Sequence, residues 1–335
     1  MRISVIGAGG WGTALARLLA RKGHSVCLWA RRPQFAQDLD RKRVNEKYLP
    51  GVPLPKDNLH VTSDLTEALQ ETEIVLLAVP SFAVRETARK LKPFLGKHVL
   101  AVINTAKGLE RETLYTMSMV LKEELNELAQ QKIFTLSGPS HAEEVGRDAP
   151  TSVVIAGEDA QTGIALQRAF MTERFRLYFS DDILGVEYGG TVKNIIALAA
   201  GISDGLGYGD NTKAALIARG LAEMVRLGVK LGARRETFFG LSGLGDLVAT
   251  CTSRHSRNRA VGYRIGQGEK LPQILQSMSM VAEGVYATQA VRALARAQGV
   301  ELPITEAVYA ILYENSDPLE QLNALMTRDP KREGL

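Results

Sequence analysis

The segment ISVIGAGGWGTALARLLARKG, residues 3–23, carries the pattern that decides the fold. Its first four residues form an apolar run of strand length, and a glycine-rich stretch, GAGGWG at residues 7–12, follows directly. Beyond the glycines, Leu15, Leu18 and Leu19 recur at the spacing of one helix face. The order of strand, glycine turn and helix predicts the first βαβ unit of a dinucleotide-binding domain.

The glycines of this turn have different expected tasks. Gly7 permits the tight turn, Gly9 lets the backbone approach a pyrophosphate, and Gly12 allows the helix to pack closely against the strand. The helix N-terminus then directs its N–H groups towards the anion. An alternative interpretation is a glycine turn that serves the structure alone. The predicted cofactor contacts from this turn are Gly7, Gly9, Gly10, Trp11 and Gly12.

Further short apolar runs indicate a mainly parallel sheet. SVCLWA, IVLLAV, HVLAVIN and IFTLSG occupy residues 25–30, 74–79, 98–104 and 133–138, and TSVVIAG and RLYFS, at 151–157 and 176–180, should extend the sheet. Continuous apolarity is typical of parallel strands that helices cover on both faces. Helical patterns dominate from about residue 184. The predicted fold class is therefore α/β, a Rossmann-like doubly wound sheet domain followed by an all-helical domain.

Length and composition agree with two globular domains. The 335 residues exceed what one hydrophobic core usually organises, and 45% hydrophobic with 23% charged residues argue against disorder. We place the boundary near residue 190, giving a dinucleotide-binding domain over 1–190 and a helical substrate-binding domain over 191–335. The 41 Lys and Arg against 37 Asp and Glu leave a formal charge of +4, which does not demand a nucleic-acid partner.

The cysteines and the N-terminal sequence suggest a reducing compartment. Cys27 and Cys251 fit neither a disulfide framework nor a metal-ligand spacing, so no metal site is expected. The opening MRISVIGAG lacks the regions of a signal peptide, and no apolar run approaches the roughly 18 residues of a spanning helix. We therefore expect a cytoplasmic protein without membrane insertion.

Two arginines follow the second predicted strand. NAD-selective sites commonly have an acidic residue about 20 positions beyond the glycines, where it accepts hydrogen bonds from the ribose. This chain has Arg31 and Arg32 there, and no acidic residue precedes Asp38. Because guanidinium groups bind a 2′-phosphate, we predict NADP(H) as the preferred cofactor, with NAD(H) as the alternative. The structural alternative is that both arginines are solvated turn residues.

Six segments spread through the chain carry a more specific signal. They are GAGGWGTALA, NTAKGLE, LSGPSHAEEV, GGTVKNIIALAAGISDGL, GLSGLGDLVATCTSRHSRNR and VAEGVYA. Through them the chain resembles bacterial-type NAD(P)-dependent glycerol-3-phosphate dehydrogenase. The resemblance implies reversible reduction of dihydroxyacetone phosphate to sn-glycerol 3-phosphate, a supply for glycerophospholipid synthesis.

The resemblance implies two catalytic lysines. Lys193, in GGTVKN, is implied to accept the alcohol proton during oxidation and to donate it during ketone reduction. Lys107, in NTAKGLE, is implied to contact cofactor and substrate and to polarise the reacting oxygen. Proton acceptance requires a neutral amine, so burial and a nearby Lys107 are expected to lower the pKa of Lys193. From periodicity alone, both would be interpreted as surface lysines.

The remaining implied contacts lie in three of the segments. In DLVATCTSRHSRNR, Arg257 can fork onto a phosphate and Asp246 can accept from a hydroxyl, although an RNA-binding basic loop is the competing interpretation. His141 is expected to be structural or solvated. The substrate contacts are predicted to be Lys107, Gly138, Ser140, Lys193, Asp246, Ser256, Arg257 and Asn258, and the further cofactor contacts Lys107, Ala142, Arg257, Val281 and Glu283.

Two other functions fit parts of the pattern. A 2- or 3-hydroxyacid dehydrogenase of similar architecture should prefer a carboxylate to a phosphate. A non-catalytic NADP(H)-binding sensor would keep only the cofactor domain, and the presence of Lys107, Lys193 and Asp246 disfavours it. A homodimer is kept as an open expectation.

Overall fold

The computed structural model describes residues 1–126, 128, 132–278, 280–330 and 332. Contacts divide the chain into two compact units, one formed by Met1–Ala106 with Met117–Ile183 and the other by Lys107–Thr116 with Leu184–Leu335. The sequence did not indicate that residues 107–116 belong with the helical unit. They do so because Leu109 is buried in the helical core. The domain limits 1–190 and 191–335 stay a prediction.

Strands and helices alternate along most of the first unit. In chain order they are β1 Arg2–Ile6, α1 Gly10–Arg21, β2 Ser25–Trp29, α2 Pro33–Lys42, β3 Val44–Asn45, β4 Leu49–Pro53, β5 Leu59–Thr62, α3 Leu65–Leu69, β6 Ile74–Leu77, α4 Val84–Leu91, β7 Ala101–Asn104, α5 Met117–Glu124, β8 Ile133–Ser137, α6 Ala142–Gly146, β9 Thr151–Gly157, α7 Ala160–Phe170 and β10 Phe175–Ser180. Among the described elements of this unit, only β3, β4 and β5 follow one another directly. All residues of β6, β7 and β8 are buried, as expected for strands covered on both faces.

The main sheet has the order β10-β9-β8-β7-β6-β1-β2-β5 among the described residues. Its neighbours are parallel except for β8 and β9, so the last two strands run against the others. The α/β class and both added strands are confirmed, but the sheet is mixed. Residues 138–150 join β8 to β9 and contain the short helix α6.

The second unit is helical, as expected. Its α-helices are α8 Ile183–Gly205, α9 Asp210–Lys230, α10 Asp246–Thr252, α11 Arg257–Gly266, α12 Leu271–Ser277, α13 Glu283–Ala297, α14 Pro303–Tyr313 and α15 Pro318–Met326. A 3₁₀-helix, Arg235–Phe239, and a π-helical turn, Leu241–Gly245, precede α10. Within the described part of the chain, no helix combines the length and apolarity needed to cross a membrane.

Glycines bring α8 and α11 together backbone to backbone. A Cβ on Gly201 would lie 2.1 Å from the carbonyl oxygen of Arg259, and one on Gly262 would lie 2.1 Å from that of Leu198. Larger residues would force the two helices apart. This close packing fixes α8, which carries Lys193, against the helix that begins at Arg257.

A buried carboxylate joins α9 to α14. Glu223 accepts hydrogen bonds from the backbone N–H groups of Ile304, at 2.5 Å, and Thr305, at 3.2 Å, and from the Thr305 hydroxyl at 3.0 Å. Burial raises the pKa of Glu223 to about 7, although these hydrogen bonds oppose the increase. The carboxyl group thus supplies acceptors for the first N–H groups of α14.

Candidate functional site

The glycine turn joins β1 to α1, as the sequence predicts. Gly7 has a φ of +115°, and a Cβ there would lie 2.6 Å from the carbonyl oxygen of Ala78. A Cβ on Gly12 would lie only 1.9 Å from the Gly7 carbonyl oxygen. Gly9 differs, because a Cβ there would meet no heavy atom within 4 Å. Two glycines therefore permit close packing, whereas Gly9 leaves backbone open to a ligand.

The other two predicted contacts of the turn are placed differently. Gly10 begins α1, and a Cβ on it would lie 2.7 Å from the Tyr48 carbonyl oxygen and 3.5 Å from the Cβ of Ala142. Trp11 is half-buried and packs against the core of the first unit. The first turn of α1 carries no acidic residue, which leaves its N-terminus favourable to an anion.

Arg31 and Arg32 are both exposed beyond the end of β2. Arg32 donates a hydrogen bond to the Tyr48 hydroxyl at 3.1 Å, and its guanidinium carbon lies 5.2 Å from the centre of the Phe35 ring. Arg31 contributes to lowering the pKa of the exposed Glu86, after the larger effect of the Lys90 hydrogen bond. Two cations at this strand end suit an anionic group, and Tyr48 was not anticipated from the sequence.

Gly138, Ser140, His141 and Ala142 occupy the β8–α6 connection. Gly138 has a φ of +130°, and the Ser140 hydroxyl donates to its carbonyl oxygen at 3.0 Å. His141 is the N-cap residue of α6, but its side chain makes no capping hydrogen bond. Ala142 is the first residue of the helix. The predicted contacts from this loop thus lie close together on one turn of chain.

Two lysines of the helical unit share one buried aspartate. Lys193 Nζ donates to Asp246 Oδ1 at 2.7 Å, and Lys107 Nζ donates to Asp246 Oδ2 at 2.6 Å. The exposed fractions of the side chains are 7% for Lys193, 20% for Lys107 and 3% for Asp246. Segments that are distant in sequence therefore place two ammonium groups around one carboxylate.

Thr250 completes this cluster and was missed in the sequence. The Thr250 hydroxyl donates to the Asp246 carbonyl oxygen at 2.6 Å. The Thr250 hydroxyl oxygen in turn accepts a hydrogen bond from Lys193 Nζ at 2.6 Å. Thr250 lies one helical turn after Asp246 in α10, which places both side chains on the same face. The four-residue spacing of Asp246 and Thr250 was the sequence signal from which Thr250 could have been predicted. Lys193 Nζ has two protein acceptors and a third hydrogen for another partner.

The pKa of Lys193 is lowered to about 8, mainly because the side chain is buried and also because Lys107 is positively charged, whereas Asp246 opposes this decrease. Burial would raise the pKa of Asp246, but the two lysines outweigh burial and hold it below its usual value. The carboxylate therefore stays ionised while Lys193 changes protonation near neutral pH. Burial and Lys107, the two causes expected from the sequence, thus both lower the pKa of Lys193.

The start of α11 presents the predicted phosphate contacts. Ser256 is buried as the N-cap residue, and its hydroxyl oxygen accepts from the Arg259 N–H at 3.2 Å. Arg257 is the first residue of the helix and is exposed, whereas Asn258 is buried and hydrogen-bonded to other protein groups. A helix N-terminus with an exposed guanidinium suits an anion.

The last predicted contacts lie at the start of α13. Val281 is half-buried, and Glu283 is the first residue of the helix. Within the described residues, His, Cys, Asp and Glu side chains form no group of three or more that could hold a metal. Hydrogen bonds join Lys107, Lys193, Asp246 and Thr250 into one cluster, whereas the glycine turn, Arg31, Arg32 and Ala142 belong to the first unit.

Comparison with known proteins gives matches along both halves of the chain. A family model described as the N-terminus of NAD-dependent glycerol-3-phosphate dehydrogenase matches residues 2–163, and one described as its C-terminus matches residues 182–323. The chain belongs to this family. The family assignment confirms the resemblance that the sequence segments indicate.

Individual members of the family are similar over nearly the whole chain. A glycerol-3-phosphate dehydrogenase (NAD(P)+) from Chlorobium luteolum is 53% identical over 336 residues, with 99% of each chain covered. The crystal structure of glycerol-3-phosphate dehydrogenase from Coxiella burnetii matches with a TM-score of 0.92 at 41% identity, covering 98% of this chain and 99% of that one. The enzyme from Saccharomyces cerevisiae matches with a TM-score of 0.82 at 26% identity, covering 96% and 98%.

Proposed function

We propose that this protein is an NAD(P)-dependent glycerol-3-phosphate dehydrogenase that interconverts dihydroxyacetone phosphate and sn-glycerol 3-phosphate. The observation that carries the proposal is the buried cluster of Lys193, Asp246 and Lys107, in a chain 53% identical to a relative with that name. Its product would supply glycerophospholipid synthesis.

Lys193 is proposed to move the proton of the substrate alcohol. With a pKa of about 8, its side chain is available as ammonium or as amine near neutral pH. The ammonium form donates to the oxygen of the ketone as it is reduced, and the amine form accepts the proton when the alcohol is oxidised. Asp246 and Thr250 hold Nζ at 2.7 and 2.6 Å, so the group is oriented before substrate binds.

Lys107 is proposed to stabilise negative charge on the reacting oxygen. Its ammonium group shares Asp246 with Lys193, so two positive charges are concentrated at one buried carboxylate. Charge placed in advance stabilises a developing alkoxide without reorganisation. Asp246 also retains its proposed contact with a substrate hydroxyl, since a carboxylate accepts several hydrogen bonds.

The phosphate of the substrate is assigned to the start of α11. Arg257 has the planar fork that matches phosphate oxygens, and Ser256 stands at the helix N-terminus, where N–H groups favour an anion. Gly138, Ser140 and Asn258 stay in the proposal as further substrate contacts, on the family resemblance. Ala142, Val281 and Glu283 stay as proposed cofactor contacts on the same ground.

The first unit is proposed to hold the cofactor. The open backbone at Gly9, the helix without acidic residues in its first turn, and the cations Arg31 and Arg32 fit a pyrophosphate and a 2′-phosphate. The bound nicotinamide supplies the hydride. The relatives' names include both NAD and NADP, and the two arginines support a preference for NADP(H).

The remaining parts of the proposal concern setting and assembly. We keep 1–190 as the dinucleotide-binding domain and 191–335 as the substrate-binding domain. A cytoplasmic location is supported by two cysteines without a disulfide pattern, both of which are free in the structure. The proposal of a homodimer rests on the family resemblance alone, and it can be tested by sedimentation of the purified chain.

The deciding experiment is NADPH oxidation followed by absorbance, with four ketones or aldehydes tested separately. We expect turnover with dihydroxyacetone phosphate and at least a hundredfold lower kcat/KM with glyoxylate, tartronate semialdehyde and ketopantoate, because these lack the phosphate. Preference for a carboxylate substrate would support the hydroxyacid dehydrogenase instead. Binding of NADPH without turnover of any of them would support the sensor.

A further inference from the structure

One buried arginine of α1 binds the segment that follows α6. The Arg17 side chain is 9% exposed, and its Nη1 and Nη2 donate to the two carboxylate oxygens of Asp148 at 2.8 and 3.0 Å. Its Nε donates to the carbonyl oxygen of Pro53, at the end of β4, at 3.1 Å. The guanidinium group of Arg17 therefore joins α1, β4 and the end of α6 by three hydrogen bonds.

The backbone at the end of α6 presents Asp148 to this guanidinium group. Asp148 has a φ of +60°, a left-handed conformation that Asp and Asn adopt more readily than most residues. The N–H groups of Asp148 and Ala149 donate to the carbonyl oxygens of Val145, at 3.1 Å, and Glu144, at 3.0 Å. Hydrogen bonds from Arg17 hold the pKa of Asp148 below its usual value, although burial opposes this decrease. The pair is therefore ionised at neutral pH.

Helix α6 packs against α1 between the glycine turn and Arg17. At the start of α6, the Cβ of Ala142 lies 3.5 Å from the position of a Cβ on Gly10. At its end, Asp148 meets Arg17. Because α6 has only five residues, its end and its start cannot move independently, and the loop at residues 138–142 leads directly into it.

We propose that Arg17 and Asp148 form a clamp that positions the loop at residues 138–142 beside the glycine turn, which extends the proposed function and rests on it. This loop carries the proposed substrate contacts Gly138 and Ser140 and the proposed cofactor contact Ala142. Arg17 lies about 10 Å along α1 from the start of the helix. It acts through α6 and is therefore a positioning residue.

The β3–β4 hairpin has an anchor of its own. Asn45 is 1% exposed, its Nδ2 donates to the carbonyl oxygen of Ala8 at 3.1 Å, and its Oδ1 accepts from the Tyr48 N–H at 3.0 Å. The turn that places the Tyr48 hydroxyl beside Arg32 is thus held to the glycine turn independently of Arg17. Loss of the clamp should therefore affect the loop before α6 and not the cations at the end of β2.

Kinetics of Arg17→Met and Asp148→Asn in the full-length enzyme test the clamp. Met removes the guanidinium group, whereas Asn keeps the size and backbone preference of Asp148 but removes its charge. Each variant should raise the KM values for dihydroxyacetone phosphate and NADPH about three- to thirtyfold and keep kcat within about threefold, because the lysine cluster is unchanged. The ratio of kcat/KM for NADPH to that for NADH should stay within about twofold.

Two outcomes of these kinetics would overturn the clamp. One is unchanged KM values in variants of lower stability, since the pair would then serve folding alone. The other is a loss of kcat at unchanged KM, which would mean that the pair acts on the chemical step. If Arg17→Met does not fold, the same outcomes are decided by Asp148→Asn, which keeps the buried guanidinium group and its bond to Pro53.

A double variant and a matched control separate the clamp from general loss of charge. Arg17→Met with Asp148→Asn should raise KM no more than the larger single effect, because both changes remove one interaction. Arg21→Met is the control, since Arg21 donates to the same carboxylate at 2.5 Å but its side chain is 52% exposed. It should leave KM within about twofold. Multiplied effects in the double variant, or an equal effect of Arg21→Met, would overturn the proposal.

Hydrogen exchange without ligands gives a readout that does not depend on catalysis. In both clamp variants, the Ala149 amide should exchange faster than in the unchanged chain, because the end of α6 is released. The Tyr48 amide should keep its rate, since Asn45 still accepts from it. Unchanged exchange at Ala149 would overturn the clamp whatever the activity. If the unchanged protein does not turn over dihydroxyacetone phosphate, the proposed function fails, whereas the exchange rates still decide the clamp.

Discussion

The glycine turn of the first unit and the lysine cluster of the second are both suited to negative charge, but they are built in opposite ways. The turn offers backbone from six consecutive residues, and four of them are glycines, which allow the close packing at Gly7 and Gly12 and leave backbone open at Gly9. The cluster offers the ammonium groups of Lys107 and Lys193, which lie on different segments and are held by one buried carboxylate. Added atoms should therefore damage the turn, whereas altered charge should damage the cluster.

The largest expected effect follows from changing the charge-bearing group of the cluster. Lys193→Ala should lower turnover about 10²- to 10⁴-fold, because the proton-transfer group is lost, while NADPH binding is kept. Lys193→Arg should not restore oxidation of glycerol 3-phosphate, since a guanidinium stays protonated. Steady-state kinetics and NADPH titration measure both. Near-normal oxidation by a folded Arg variant would remove Lys193 as the base.

The pH profile of the unchanged enzyme sharpens the same point. Oxidation requires the amine, so kcat/KM for glycerol 3-phosphate should rise as pH increases through about 8, the value to which burial lowers the pKa of Lys193. Reduction of dihydroxyacetone phosphate should fall over the same range. Profiles that change in the same direction for both reactions would contradict the assignment.

A buried carboxyl group outside the cluster should influence stability rather than turnover. Burial raises the pKa of Glu223 from 4.5 to about 7, so between these two pH values the folded protein keeps a proton on Glu223 that the unfolded chain releases. This contribution, up to about 3 kcal/mol, is complete below pH 4.5 and is lost as pH rises to about 7. Urea unfolding at pH 5 and pH 8 should show that Glu223→Gln removes this dependence.

The matched control for Glu223 is the exposed Glu236. Glu236→Gln should keep the pH dependence of the unchanged chain, because solvent surrounds that side chain. The Glu223 variant should also keep kcat at a constant pH where both proteins are folded. A pH dependence that persists in Glu223→Gln would show that another group causes it.

Replacement by alanine should have different effects at two glycines of the turn. Gly12→Ala places a Cβ 1.9 Å from a carbonyl oxygen and should lower the free energy of unfolding by about 1–3 kcal/mol without any ligand. Gly9→Ala meets no protein atom, so it should keep that stability but weaken NADPH binding. Thermal unfolding and fluorescence titration separate the effects. Equal stability losses would mean that both positions serve packing.

The smallest expected effect concerns cofactor choice. The double variant Arg31→Asp with Arg32→Ala should lower the ratio of kcat/KM for NADPH to that for NADH about tenfold or more. The 2′-phosphate of NADPH loses both guanidinium groups, and the ribose of NADH gains a carboxylate that accepts hydrogen bonds. Arg41→Asp with Lys42→Ala, at two exposed side chains on α2, changes the charge by the same amount as the double variant and should leave the ratio unchanged. A ratio unaltered in the double variant would reject the arginine assignment.

The two regions also differ in how far sequence could predict them. A turn made of consecutive residues is encoded locally, so the roles of Gly7 and Gly12 follow from their spacing. The sharing of Asp246 depends on tertiary packing, and no local pattern specifies which carboxylate two distant lysines will meet. The reversal at β9 was missed for the same reason, since apolarity reports burial and not strand direction.

The segment 107–116 has a consequence for recombination between related genes. It belongs with the helical unit through the buried Leu109, and its Arg111 guanidinium lies 4.8 Å from the Tyr286 ring centre. A chimera joined at residue 183 would take Lys107 from one parent and Asp246 from the other. Exchange of the complete helical unit therefore requires that the ten residues 107–116 are transferred together with Leu184–Leu335, because this unit is discontinuous in sequence.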